Sequence, residues 1–194
     1  MYARIATAAI VPGMMDRFVE QTHEIMIPAY IGKQGLLQAT TLLDRTNEVG
    51  RLLTVWRSEA DMMAREQDTA YRSRMDNVRA KSVPIFYEVC AHESGDPSSY
   101  AFARVTSGDV LSGQAENFSR KLREEVIPAY KSLDGFAGAL ALMDRENAKA
   151  AAVIFWNSRA ASEQRITPTA DMDNYRKIQE SVVCDVVANH SVGA

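Results

Sequence analysis

The stretch Glu24-Ile-Met-Ile-Pro-Ala-Tyr30 decides the fold, because it returns 100 residues later as Glu124-Glu-Val-Ile-Pro-Ala-Tyr130. The same offset holds without a gap over most of the chain, so the 194 residues contain two copies of one unit. Two copies are too few for an open solenoid and favour a closed pair related by a pseudo-twofold axis. Identical pairs include Ala3/Ala103, Arg4/Arg104, Gly13/Gly113, Phe18/Phe118, Gly35/Gly135, Leu42/Leu142, Asp44/Asp144, Asn47/Asn147, Trp56/Trp156 and Ser58/Ser158.

Within each copy, the hydrophobic pattern alternates between the periods of strands and helices. A helix opens after Gly13, and Pro28 predicts a kink or a fresh helical turn. Gly35 is expected to end this helix with positive φ, and Ser58 to cap a second helix. The predicted segments are strands 2–7, 36–43, 52–56 and 83–90 and a second helix at 59–81, and in copy two a restart of that helix at Thr167-Pro168 and a last strand at 182–188.

The predicted fold class is therefore α+β, with two tandem ferredoxin-like (βαββαβ) units at 1–91 and 100–190 and a linker at 92–99. Helices cover one face of each sheet, and the other face is also apolar, so it must be buried as well. Packing the two open faces together gives an intramolecular pseudo-dimeric α+β barrel. The barrel then forms within one chain, which leaves a further homodimer as an open alternative.

Composition and charge exclude several classes of partner. The net charge is −3 and the pI is about 5.7, with basic and acidic residues interspersed, so no nucleic-acid footprint is present. No apolar run approaches the roughly 20 residues of a membrane helix, and no signal peptide pattern is found. These features predict a cytoplasmic protein without membrane partners. Cys90 and Cys184 are interpreted as free thiols rather than a disulfide.

The order of motifs resembles the antibiotic biosynthesis monooxygenase family of dimeric α+β barrels. The resemblance covers both halves and rests on Pro-x-Tyr, a Gly-Leu or Gly-Phe pair, a strand ending in Leu-Leu-Asp or Leu-Met-Asp, and Trp-x-Ser-x-Ala. The residues that carry it are Tyr30, Gly35, Leu42, Leu43, Asp44, Trp56, Ser58, Tyr130, Gly135, Phe136, Leu142, Met143, Asp144, Trp156 and Ser158. It implies a barrel with helices outside, pockets between sheet and helices, and oxidation of aromatic polyketides with O2 in some members.

The positions of the histidines bear on whether the protein binds heme. Heme-degrading members of the family place an iron ligand on the second helix, but the histidines here are His23, His92 and His190. Heme is therefore disfavoured, and no cluster of His, Asp or Glu with metal-ligand spacing is found. The resemblance implies either no cofactor or a flavin, and no metal. No catalytic residue can be named.

Four residues are candidates for contact with a small hydrophobic or aromatic ligand: Trp56, Trp156, Tyr71 and Arg104. The tryptophans could stack on a flat substrate or fill a sheet edge. Tyr71 could donate to a quinone or phenol oxygen, or pack with its hydroxyl at the surface. Arg104 and its counterpart Arg4 could bind an anion or form structural ion pairs, with Asp44 or Asp144 as candidate partners.

The hairpin of copy two carries smaller side chains than that of copy one: Gly138, Ala139, Ala141, Ala150, Ala151 and Ala152. Small side chains leave space unless another group fills it, so the pattern predicts one open pocket, near this hairpin. The leading functional hypothesis is a monooxygenase that oxidises an aromatic or polyketide-like molecule, without a cofactor or with flavin assistance. The alternative is a small-molecule-binding barrel without catalysis, which the lack of an acid–base constellation favours.

Overall fold

The computed structural model describes residues 1–67, 73–164 and 171–192. The described strands are β1 (Tyr2–Ala9), β2 (Leu36–Asp44), β3 (Val49–Trp56), β4 (Val83–Glu93), β5 (Phe102–Val110), β6 (Phe136–Asp144), β7 (Lys149–Trp156) and β8 (Arg176–Ser191). The described α-helices are α1 (Met15–Gln21), α2 (Glu59–Gln67), α3 (Ala115–Lys121), α4 (Ile127–Lys131) and α5 (Arg159–Ser162).

The eight strands form a closed barrel in the hydrogen-bonded order β1-β3-β2-β8-β5-β7-β6-β4. Closure removes unpaired sheet edges, whose free backbone groups would otherwise need solvent or a partner. The predicted fold class, a single-chain α+β barrel built from two related halves, is confirmed. The chain divides into two compact units, Met1–Phe86 with Asp185–Ala194 (unit 1) and Tyr87–Cys184 (unit 2).

In unit 1, β3 lies between β1 and β2, and the last residues of β8 extend the sheet beyond β2. Tyr2 pairs with Trp56 at one end of the β1–β3 ladder. One face of the sheet packs against α1 and the turn that follows it, with Phe18, Met26 and Leu43 in the core. The last strand of this unit therefore comes from the second sequence copy.

Unit 2 repeats the arrangement with the same register. Phe102 pairs with Trp156, β7 lies between β5 and β6, and residues 88–93 of β4 extend the sheet beyond β6. Both β2 and β6 carry a bulge after their first residue, at Leu36 and Phe136. The two copies thus share even their local irregularity, which indicates that the bulge aims the start of the strand in both.

In both copies, a π-helical turn precedes the proline at which a kink or a fresh helical turn was predicted. Residues Thr22–Met26 and Leu122–Val126 are wound with the wider π repeat, and each segment ends two residues before its proline, Pro28 or Pro128. Proline has no backbone N–H, so it removes one donor from the regular α-helical ladder. In copy two a new helix, α4, starts with Pro128 near its first position, which confirms the predicted fresh turn.

The second helix is shorter than predicted. Helix α2 ends at Gln67, and residues 73–75 form a 3₁₀ turn that precedes a bridge between Ile10 and Arg79. The expectation of a helix through Lys81 is therefore wrong over 73–81, because Arg79 pairs with backbone next to β1 instead. The predicted restart at Thr167-Pro168 lies outside the described residues.

Ser58 caps the second helix of copy one as predicted, and Ser158 caps that of copy two. Their hydroxyls accept hydrogen bonds from the backbone N–H of Asp61 at 3.1 Å and Ala161 at 3.2 Å. Gly35 has a φ of 73°, and Gly135 has a φ of 80°, which confirms their positive φ. A Cβ at either position would also collide with a side chain of the second-helix region.

β4 continues through Glu93, two residues into the segment predicted as a linker. Asp96 then accepts from the backbone N–H of Ser98 at 2.9 Å, which caps a 3₁₀ turn at Pro97–Ser99. Gly95 lies against β6, where a Cβ would stand 1.6 Å from the carbonyl oxygen of Ala137. This connection is thus packed on the sheet of unit 2 at a position that only glycine can occupy.

Within the described residues, no helix combines the length and apolar character needed to cross a membrane.

Candidate functional site

Each unit contains a cavity between its sheet and the first-helix segment. The cavity of unit 2 encloses about 420 Å³ of atom-free space, counting its open mouth, and that of unit 1 about 330 Å³. Most of this space belongs to the open mouth, because the enclosed part is only about 30 Å³ in unit 2 and 20 Å³ in unit 1, which is room for one or two water molecules. A larger ligand would therefore occupy the mouth as well, and the two cavities are of similar size. The hypothesis of a single open pocket is therefore wrong. The unit 2 cavity is lined by Arg104, Thr106, Leu122, Val126, Ile127, Tyr130, Leu140, Ala141, Ala152, Ile154 and Arg176.

The small side chains of the second hairpin divide into two groups. Ala141 and Ala152 line the unit 2 cavity, where position 52 of copy one carries a leucine. Gly138 instead faces Tyr100, whose hydroxyl oxygen would lie 2.7 Å from an added Cβ. The Tyr100 ring stacks on Phe155 with centroids 4.1 Å apart. Only part of the predicted space is therefore open, because an aromatic side chain fills the rest.

Arg4 lines the unit 1 cavity and forms an ion pair with α2. Its Nε lies 2.8 Å from Oε2 of Glu66, although the angle between them is outside the hydrogen-bonding range. The expected partner, Asp44, is occupied elsewhere. It accepts from the backbone and side chain of Asn47, at 3.1 and 2.8 Å. The proposed pairing of Asp44 with Arg4 is therefore wrong, because the carboxylate caps its own hairpin loop.

Arg104 lines the unit 2 cavity and binds backbone rather than a carboxylate. Its Nε and Nη2 donate to the carbonyl oxygen of Ser162, at the end of α5, at 2.9 and 2.6 Å. A positive charge near the carboxyl end of a helix is electrostatically favourable. Asp144 accepts from Asn147 at the tip of the hairpin, so the pairing expected for Arg104 is also wrong.

A second arginine, Arg176, enters the unit 2 cavity from the first residue of β8. It is 9% exposed, and its Nε is fully buried without a hydrogen-bond partner among the described residues. Burial lowers the pKa of its guanidinium, against smaller raising effects of Tyr130 and Asp173. The guanidinium carbon lies 5.7 Å from the Phe118 ring centroid. The cavity therefore contains a desolvated guanidinium whose Nε–H has no acceptor among the described residues.

Arg176 has a structural counterpart in unit 1. The backbone N–H of Leu111 donates to Tyr175, as that of Val11 donates to Val78, so Arg176 corresponds to Arg79. The two arginines are 97 residues apart in the sequence, not 100, so the gapless offset does not align them. This pair was missed from the sequence for that reason. The available signal was the Met-x-x-x-Arg spacing in both copies, at 75–79 and 172–176.

The two tryptophans are core residues with different hydrogen bonding. Trp56 is 1% exposed, and its indole nitrogen donates to Oγ1 of Thr54 at 2.9 Å. Trp156 is fully buried, but its indole nitrogen has no acceptor among the described residues, and position 154 is isoleucine. Trp156 packs against Tyr130, a cavity-lining residue, with ring centroids 5.9 Å apart. Trp156 therefore packs against the cavity wall through its contact with Tyr130.

Trp56 also lines a wide surface groove in unit 1. The groove spans about 780 Å³ of atom-free space, counting the open solvent at its mouth, and is lined by Lys33, Gln34, Trp56, Ala60, Asp61, Ala64 and Arg65. Arg65 covers the Tyr30 ring, with its guanidinium carbon 4.5 Å from the ring centroid. Trp56 and Arg104 thus lie in different units, and the structure does not bring them into one site. Tyr71, the fourth candidate, lies outside the described residues.

Among the residues described, no group of three or more His, Cys, Asp or Glu side chains is arranged to hold a metal ion.

No protein-family model matches this chain. It is 26% identical over 167 residues to an uncharacterised protein of Mycobacterium tuberculosis strain H37Rv and to one of strain CDC 1551. Each match covers 84% of this chain and 75% of the relative.

Solved structures share the fold at low sequence identity. A provisionally assigned monooxygenase of Fusobacterium nucleatum has a TM-score of 0.78 at 11% identity, covering 99% of this chain and 94% of that one. An anthrone oxidase-like protein has a TM-score of 0.71 at 14% identity, covering 100% and 94%. A ferredoxin-fold protein of Listeria monocytogenes, related to antibiotic biosynthesis monooxygenases, has a TM-score of 0.54 at 8% identity, covering 95% and 94%. These similarities agree with the resemblance seen in the sequence and establish the fold.

Proposed function

We propose that this chain oxidises a small aromatic, polyketide-like molecule with O2 in the cavity of unit 2. The observation that carries the proposal is the composition of this cavity, where apolar walls surround two guanidinium groups and the Tyr130 side chain. The fold similarity to an anthrone oxidase-like protein supports the same reaction class.

The proposed chemistry needs little from the protein beyond binding and electrostatics. Apolar walls such as Leu122, Val126 and Ile154 exclude water and hold a flat ring. The guanidinium of Arg176 favours the phenolate or enolate form of the substrate, which is the electron-rich form that reacts with O2. In the oxidation of an anthrone, the central methylene carbon loses two hydrogens and gains one oxygen atom. The second oxygen atom leaves with those hydrogens as water.

An oxygen electrode tests this function directly. Purified protein is mixed with anthrones and hydroquinones, with and without added reduced FMN, and ¹⁸O2 labelling reports incorporation into the product. The test variant is Ala152→Leu, which places in the unit 2 cavity the side chain that unit 1 carries at Leu52. The matched control is Ala8→Leu, which narrows the cavity of unit 1.

We expect Ala152→Leu to abolish substrate-dependent oxygen uptake while far-UV circular dichroism stays unchanged, and Ala8→Leu to retain the uptake. Uptake that is unaffected by Ala152→Leu, or lost only in Ala8→Leu, contradicts a reaction in unit 2.

A non-catalytic binding protein is the second candidate. The described residues that line the unit 2 cavity include no Asp, Glu or His that could accept a proton from the substrate. This function predicts saturable binding of the same aromatic molecules, with no oxygen consumption under any of the assay conditions.

A further inference from the structure

We infer that the unit 2 cavity recognises aromatic ligands that carry an anionic oxygen, a carboxylate or a phenolate, held by Arg176 together with Arg104. The inference rests on the proposed function for the location of the site, but it concerns binding and does not require turnover. It assigns a ligand class and a recognition residue to this cavity.

The first argument is the unbalanced charge of the cavity. Arg104 and Arg176 both line it, and neither forms an ion pair with a carboxylate among the described residues. Arg104 uses Nε and Nη2 on a backbone carbonyl, so in the described part of the chain no carboxylate balances its positive charge. Asp173 acts on Arg176 only as a weaker electrostatic influence.

The second argument is the unused donor of Arg176. Its Nε is excluded from solvent and has no acceptor in the described part of the chain. Leaving a buried donor unpaired costs about 1–3 kcal/mol, and more for a charged group. Buried polar groups without partners are uncommon in folded proteins and call for a functional explanation. A ligand oxygen at this position supplies the missing acceptor and the missing charge together.

Unit 1 shows what the same site looks like when its arginines are used structurally. Arg4 also has buried nitrogens, Nε and Nη1, without a hydrogen-bond partner among the described residues, but the Glu66 carboxylate 2.8 Å away compensates its charge. Arg79 donates from Nη1 to the carbonyl oxygen of Ala80 at 3.1 Å. Arg51, which also lines this cavity, is likewise engaged in an interaction. The residue 100 positions after Glu66 is Ile166, and the residue at the offset of 97 that relates Arg79 to Arg176 is Glu163. Glu163 is exposed and forms no ion pair with Arg104 among the described residues. Glu66 would repel an anion approaching Arg4, which makes unit 1 the poorer anion site.

The remaining walls of the cavity favour a ligand with an apolar body over a small inorganic anion. Of the eleven described residues that line the cavity, seven are aliphatic: Leu122, Val126, Ile127, Leu140, Ala141, Ala152 and Ile154. A hydrated ion would leave this surface in contact with water, whereas a fused ring would bury it. One end of the ligand is therefore apolar, and the end beside Arg176 is negative.

Isothermal titration calorimetry with 2-naphthoate and its methyl ester tests this inference, because the two probes differ mainly in charge. We expect the wild-type chain to bind one 2-naphthoate at least tenfold more tightly than the ester. Losing one charge-assisted hydrogen bond corresponds to a factor of about ten or more. Arg176→Met should therefore reduce the affinity for 2-naphthoate about tenfold or more and leave the affinity for the ester unchanged.

Arg79→Met, the same substitution at the equivalent position of unit 1, is the matched control and should retain the preference for the acid. If Arg176→Met does not fold, Arg176→Gln makes the same test, because it removes the charge and keeps a polar side chain. Equal affinity for acid and ester, no saturable binding of the acid, or a loss confined to Arg79→Met overturns the inference.

The result is distinguishable from a failure of the proposed function. Tight, Arg176-dependent binding of 2-naphthoate without oxygen uptake on any aromatic substrate would leave the inference standing and reject the oxidation. Oxygen uptake on neutral aromatic substrates that is insensitive to Arg176→Met would do the opposite.

Discussion

The indole nitrogen of Trp56 donates a 2.9 Å hydrogen bond to Oγ1 of Thr54, and both side chains are buried in unit 1. At the equivalent positions of unit 2, Trp156 stands two residues after Ile154, and its indole nitrogen has no acceptor in the described structure. The hydrogen bonding of the equivalent tryptophans therefore differs between the two copies, although their strand registers are identical.

Thr54→Val should destabilise the protein by about 1–3 kcal/mol, because the near-isosteric valine leaves the Trp56 N–H buried without an acceptor. Urea denaturation measures the free energy of unfolding. The control is Thr54→Val in a Trp56→Phe background, where no indole donor exists and the cost should largely disappear. An equal cost in both backgrounds would show that the hydrogen bond contributes nothing to stability.

Arg176→Met should raise the free energy of unfolding by about 1 kcal/mol or more, because it removes a buried cation with an unused donor and keeps an apolar stem. Arg4→Met should instead lower it by about 3 kcal/mol, because it removes the cation that lies 2.8 Å from the partly buried Glu66 carboxylate. Thermal and urea unfolding of both variants measure these changes in the free energy of unfolding. A stability loss in both would indicate that Arg176 has a structural role.

Tyr87 should make the stability of the protein depend on alkaline pH. Burial raises the pKa of its phenol to about 12, with a smaller contribution from Asp144, against about 10 in an unfolded chain. The folded state therefore holds this proton more tightly, and stability should fall as the pH rises from 10 to 12, by up to about 3 kcal/mol. Urea unfolding across this range should show a shallower slope for Tyr87→Phe. An unchanged slope would assign the pH dependence to other groups.

Gly138→Ala should destabilise the protein by about 1–3 kcal/mol through overpacking, because its Cβ would lie 2.7 Å from the Tyr100 hydroxyl oxygen. Combining it with Tyr100→Leu, which removes the ring, should make the added methyl group tolerable. The comparison is Gly138→Ala measured in the wild-type and Tyr100→Leu backgrounds. A cost that persists without the ring would locate the strain in the backbone.

Local features of the chain were predictable because short-range chemistry determines them. The repeat, the hairpins, the caps at Ser58 and Ser158 and the hairpin turn at Asp44 depend on residues a few positions apart. The length of the second helix was not predictable in the same way. Arg79 pairs with Ile10 across the fold, and this distant contact overrides a helical pattern in the local sequence.

Candidate site residues were harder to identify, because a site is formed by side chains that are distant in the sequence. Arg104 was recognised because it has a counterpart at the repeat offset. Arg176 was not, because a three-residue difference between the copies shifts its counterpart to Arg79. Asp44 and Asp144 were reasonable partners by charge alone, yet the hairpin geometry places their oxygens on Asn47 and Asn147.

By itself, the sequence determined that this chain is an internally duplicated α+β protein, because a repeat held at one offset specifies the same strands, turns and caps twice. Only the tertiary structure decided how the duplicated arginines are used. The energy of a buried charge depends on the few groups that surround it in space. Arg4 meets Glu66, whereas Arg104 meets a backbone carbonyl and Arg176 retains a buried donor without a partner in the described structure.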